Sequence, residues 1–85
     1  MAYRIEISAH VGRQMKKFSG NVRKRIDAAI QKLADNPRPP GCTKLQTGEN
    51  AWRIRIGEYR VIYEVHDKVL VVLVIRVDHR SIVYR

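Results

Sequence analysis

Arg53, Arg55 and Arg60 are the side chains whose type and spacing first invite a chemical reading. They flank Gly57-Glu58, a glycine-first pair suited to a two-residue hairpin loop. With that loop, antiparallel register sets Arg55 opposite Arg60, and Arg53 projects to the same face two residues further along its strand. Directly opposed like charges destabilise a strand pair by roughly a few tenths of a kcal/mol or more. A sequence that keeps such a pair is expected to neutralise it with something anionic. Guanidinium suits phosphate, because its planar fork makes paired, charge-assisted hydrogen bonds and keeps its proton near neutral pH. With no acid expected among the three, the patch reads as a phosphate-binding surface, against the plainer reading of solubilising arginines on an exposed sheet. Glu64 lies further along the same face and tempers it.

The whole chain leans the same way. Seventeen Lys and Arg against eight Asp and Glu leave a net charge of +9 on 85 residues. Such an excess attracts polyanions: nucleic acid, an anionic membrane surface or an acidic protein partner. Arg23, Lys24, Arg25 and Lys32 form the outer stripe of a predicted helix, placed either to grip RNA phosphates or to stand as a solvated face. Lys44 carries the same two readings.

Other chemistries find little support. The lone Cys42 has no partner for an intramolecular disulfide, and its neighbours lack the paired Cys and His of a zinc site, so no metal is expected. Cys42 reads as inert, and His10 and His66 as ordinary surface residues. The longest apolar run, Val69–Ile75, is far short of the roughly twenty residues of a membrane helix and reads as a strand. Met1–His10 alternates polar and apolar residues, with no continuous apolar run, so no secretion signal is expected. A reducing, cytoplasmic setting without membrane or small-molecule cofactor follows as the expectation.

The elements that must position these groups can be read from periodicity. Tyr3, Ile5 and Ile7 alternate with Arg4, Glu6 and Ser8, giving a first strand with one buried face. Val11, Met15 and Phe18 then follow at helical spacing until Ser19-Gly20-Asn21. Asn21 is taken as the cap of a second helix whose apolar stripe is Val22, Ile26, Ala29, Ile30 and Leu33, ending near Asp35. Asn36-Pro37-Arg38-Pro39-Pro40-Gly41 cannot continue a helix and forms a rigid connector. Trp52–Ile56 and Tyr59–Val65 make the hairpin, with Trp52, Ile54, Ile56, Val61 and Tyr63 directed toward the helices as core. After a turn at His66-Asp67-Lys68, Val69–Val77 is expected to be a strand covered on both faces, since it does not alternate. The result is one α+β domain over residues 1–85, ordered β-α-α-β-β-β, with a small mainly antiparallel sheet packed against two N-terminal helices.

With Lys44-Leu45, Trp52–Tyr63, Val77-Asp78-His79-Arg80 and Ile82-Val83-Tyr84 in view, the chain resembles the RelE/ParE superfamily of toxins over nearly its whole length. The resemblance implies a ribosome-dependent, metal-independent endoribonuclease that cuts mRNA in the A site, with the RNA's own 2′-hydroxyl as nucleophile. Its implied partners are mRNA, the ribosomal RNA and a cognate antitoxin that covers the arginine face. By position, Arg53 and Arg55 match a basic pair that contacts phosphate and takes part in proton transfer. Arg60 matches a transition-state-stabilising arginine, Arg80 a phosphate-binding arginine, and Tyr84 a C-terminal tyrosine that orients the substrate base. Lys44, Arg23 and Lys24 are the further candidate RNA contacts.

The chain departs from the best-known RelE pattern by carrying arginine where that pattern has a lysine pair. Proton abstraction is efficient when the base titrates near the working pH, so guanidinium is better suited to stabilising charge on phosphate oxygens. His79, whose ordinary pKa is about 6.5, and secondarily Glu58 stand as alternative bases. Two other functions compete: a ParE-like inhibitor of DNA gyrase, which would act by binding alone, and a non-catalytic RNA- or protein-binding module.

Overall fold

The computed structural model describes residues 2–79. Its elements run β1 (Arg4–Ile7), α1 (Ala9–Lys16), α2 (Gly20–Lys32), β2 (Thr43–Lys44), β3 (Ala51–Ile56), β4 (Tyr59–His66) and β5 (Val71–His79). The five strands form one sheet in the order β1-β5-β4-β3-β2. β1 runs parallel to β5, and every other neighbouring pair is antiparallel. The α+β architecture is therefore as the periodicity predicts, with the short β2 added. Thr43-Lys44 shows no alternation of its own and is a strand only because it pairs with Trp52 and Arg53.

Both helices are opened by serines. Ser8 Oγ accepts from the Val11 amide at 3.2 Å, and Ser19 Oγ accepts from the Val22 amide at 3.4 Å. Asn21, expected as the second cap, instead lies inside α2. A cap serves the amide three residues downstream, and in Ser19-Gly20-Asn21 it is the serine that stands three before Val22. The helices then lay Val11, Ile26, Ile30 and Leu33 against Ile54, Val61, Tyr63, Val65, Val72, Val74 and Val77, closing the core on one face of the sheet. Trp52 and Ile56 pack against this cluster from its margin.

The proline connector is tied down by aromatic and charged residues. Tyr63 buries its ring completely and donates its hydroxyl to the Pro37 carbonyl at 2.7 Å. Burial pushes that hydroxyl's pKa far above the ordinary tyrosine value, so it stays a donor throughout the working pH range. Tyr63→Phe leaves the Pro37 carbonyl without this partner and is expected to cost about 1–2 kcal/mol in a urea unfolding series. Arg38 forks onto both Asp67 oxygens at 3.2 and 2.7 Å, and Tyr3 donates its hydroxyl to the same carboxylate. Trp52 lies between the Arg38 guanidinium, 5.3 Å from the ring centroid, and the Lys44 ammonium at 5.9 Å.

The Arg38 hydrogen bonds, and next that of Tyr3, hold Asp67 below the usual carboxylate range. A depressed folded-state pKa contributes stability above the unfolded value of about 4 and loses it as pH falls through the folded one. Asp67→Asn should accordingly flatten the acid limb of the stability curve while leaving its shape above pH ~5 unchanged, as read by urea midpoints across pH.

Candidate nucleic-acid interface

The hairpin delivers the register that the arginines require. Gly57 takes φ +57°, and Glu58 follows with negative φ, the geometry of a turn whose first position needs glycine. A side chain at Gly57 would also collide with the Arg25 guanidinium, since a Cβ built there lies 2.6 Å from its Nη2. β3 and β4 consequently pair Arg55 with Arg60 and Arg53 with Ile62. Cross-strand partners share a face, so Arg53, Arg55 and Arg60 stand together on the side of the sheet opposite the helices. Among the described residues, neither Arg53 nor Arg55 forms an ion pair with a carboxylate.

This open face is a concavity and not a flat array. Leu45, Thr47, Arg53, Arg60, Ile62, Ile75 and Arg76 line a hollow of about 410 Å³, with an apolar floor and a guanidinium rim. Its far wall comes from β5, where the pairing shifts: Ile62 faces Arg76, yet Tyr63 faces Val74, so Ile75 is the extra residue of a β-bulge. Gln14 of α1 holds the strand beyond the bulge. It donates from Nε2 to the Val77 carbonyl at 2.7 Å and accepts from the Val77 amide at 3.0 Å, replacing the partner strand that ends at Ile7.

Two residues of this face escaped the sequence reading. Asp78 is the cross-strand partner of Arg60 and is 2% exposed, so an acid does sit among the arginines, contrary to expectation. Arg76, hidden in a run expected to be covered on both faces, lines the hollow with its side chain 47% exposed and places Nε 2.9 and 2.8 Å from the two Asp78 oxygens. The missing signal is the bulge, which shifts the alternation and puts Ile75 and Arg76 on one face. Val69, expected in the strand, lies in the preceding turn and is 68% exposed.

Not every candidate joins the group. His79 pairs with Tyr59, on the helix side of the sheet, where its ring meets Tyr59 edge-on at 4.9 Å and Phe18 continues the stack at 5.2 Å from Tyr59. Its Nε2 is 3.4 Å from Glu58 Oε2 at the hairpin end. The register thus places His79 on the face opposite Arg53, Arg55 and Arg60. Lys44 shares the Trp52 side and donates to the Glu49 carbonyl at 2.8 Å, again away from the arginines. Arg23 and Lys24 are exposed on α2 beside Ile7, Gly12, Met15 and Asp27, in the layer behind the sheet. Glu64 lies on the open face and is engaged by His66 Nε2 at 2.9 Å. Arg80 and Tyr84 lie outside the described residues. No helix among the described residues is long and apolar enough to cross a membrane.

Comparison with known proteins gives this geometry a context. The family model described as ParE toxin of type II toxin-antitoxin system, parDE, matches residues 5–84. Among solved structures, the archaeal RelE–RelB complex from Pyrococcus horikoshii OT3 contains a chain 26% identical, with TM-score 0.85, over 98% of this chain and 100% of the other. The intact E. coli RelBE toxin–antitoxin complex is similar at 25% identity and TM-score 0.80, over 92% of this chain and 96% of that one. The RelBE2 complex of Mycobacterium tuberculosis, at 22% identity and TM-score 0.82 over 96% and 95%, speaks for the fold alone. No curated protein sequence matches.

Proposed function

Because the chain belongs to the RelE/ParE superfamily of type II toxin–antitoxin toxins, we propose that it is a ribosome-dependent mRNA endoribonuclease whose open sheet face binds and cleaves the strand in the A site. The observation that carries this reading is the register that pairs Arg55 with Arg60, together with a hollow, large enough for a nucleotide, that Arg53 and Arg60 line. In the reaction the 2′-oxygen attacks the adjacent phosphorus and gives its proton to water, and the bond to the 5′-oxygen breaks as that oxygen takes up a proton from water, to give a 2′,3′-cyclic phosphate and a 5′-hydroxyl. Charge grows on the phosphate oxygens as the new bond forms. Guanidiniums fixed beforehand at that position stabilise it more than they stabilise the ground state, which is how they would accelerate the step. Arg53, Arg55 and Arg60 take this role, and the family resemblance gives Arg80 and Tyr84 the roles of phosphate contact and base orienter.

Binding should carry the mark of those contacts. Three phosphate contacts to single-stranded RNA give a log–log salt slope of about −2, so affinity falls roughly 20-fold between 50 and 200 mM salt. Arg55→Ala should reduce the slope by about 0.7, measured by fluorescence anisotropy.

A second reading rests on the family model itself, which describes a ParE toxin: inhibition of DNA gyrase by binding alone. One experiment separates the two. Purified protein is added to a cell-free translation reaction, and mRNA 5′ ends are mapped by primer extension. Cuts at A-site codons support the nuclease; intact mRNA with arrested gyrase supercoiling supports the inhibitor. A cognate antitoxin is the expected partner, as the RelE relatives were crystallised with theirs, and an acidic surface on it would suit a +9 toxin.

A further inference from the structure

The open face holds an ion pair that the three-arginine scheme leaves unused. Asp78 buries its carboxylate among cations, and a buried carboxylate is tolerated only when paired. Both of its oxygens meet Arg76 Nε, while Arg76 keeps nearly half of its side chain in solvent at the rim of the hollow. The bulge at Ile75 is what aims Arg76 this way, and Gln14 pins the strand on its far side at Val77. A flexible arginine stem loses rotamer freedom when it is ordered. An anchor set before substrate arrives removes part of that loss from binding.

We propose that Arg76 is a further phosphate-binding residue of this face, contacting the RNA backbone beside the Arg53–Arg60 group, and that Asp78 is its positioning residue. This deepens the nuclease reading and rests on RNA being the substrate. Asp78 also has a purely electrostatic alternative. A carboxylate that only dilutes the positive field would oppose RNA, and its removal would strengthen binding. A carboxylate that orients Arg76 has the opposite signature, since its removal weakens binding.

The test uses a short single-stranded RNA with 2′-O-methyl groups, which binds and cannot be cut, together with the translation-coupled cleavage assay. Arg76→Ala should weaken binding about 5- to 10-fold and reduce the salt slope by about 0.7. Arg76→Lys keeps the charge and loses the Nε anchor, and should recover less than half of that loss. Asp78→Asn should weaken binding about 3- to 5-fold, and by a clearly smaller factor in the Arg76→Ala background. Should Asp78→Asn lose its thermal transition, the comparison of Arg76→Lys with Arg76→Ala carries the test, because the exposed end of Arg76 is not part of the core. Stronger binding by Asp78→Asn, or unchanged binding by Arg76→Ala, overturns the proposal while leaving wild-type cleavage intact. If wild type binds this RNA with the predicted Arg76 and Asp78 dependence yet cuts nothing during translation, the nuclease reading falls and the Arg76–Asp78 assignment stands.

Discussion

Arg60→Ala is expected to lower the rate of mRNA cleavage on programmed ribosomes by about 10²- to 10³-fold, the usual effect of deleting one preorganised oxyanion donor. Arg60 sits centrally, opposite Arg55 on one side and Asp78 on the other, and lines the hollow itself. Its backbone is paired on both sides by neighbouring strands, which fixes the point from which the guanidinium reaches the developing charge. Arg60→Lys restores a point charge without the planar fork and should recover only a fraction of the rate. The loss should appear in single-turnover cleavage more than in RNA affinity, since a transition-state contact lowers the chemical step. Removing a partly exposed side chain outside the core should change stability by no more than about 1 kcal/mol, which separates this variant from a folding defect.

The second large effect concerns the core that keeps the face in shape. Ile30 is fully buried where α2 meets the sheet, with Ile26 and Leu33 on either side. Ile30→Ala is expected to cost about 3 kcal/mol, within the range for a buried isoleucine that leaves a cavity. A domain of this size has a total stability of roughly 4–13 kcal/mol, so the loss is a large share of it. Urea unfolding followed by circular dichroism should show a lower midpoint with an unchanged slope. Cleavage by the folded fraction should persist at low temperature, because Ile30 belongs to the core on the helix side of the sheet.

Much of this was legible in the chain before any coordinates. Strict alternation through Trp52–Ile56, joined by Gly57-Glu58, fixes the hairpin register, and the Arg55–Arg60 pair follows from it. The helical stripe ending in Ile26, Ile30 and Leu33 locates the core for the same reason. The unread parts depend on non-local contacts. The bulge at Ile75 has no glycine or proline to announce it, so the parity of Arg76 and Asp78 could not be counted along Val69–Val77. β2 exists only through its partner, and the anchoring of the connector requires Tyr3, Arg38 and Asp67, which are far apart in sequence. The direction of His79 likewise depends on register: its strand position turns it toward Tyr59.

The account depends on RNA meeting the sheet on the side away from the helices. Side-chain Nε–H resonances of arginine, recorded while the 2′-O-methyl RNA is titrated in, report that contact directly. Saturable shifts at Arg53, Arg55 and Arg60, with Arg23 on α2 unmoved, are the predicted result. Shifts confined to α2, with the three sheet arginines silent at saturation, would contradict it.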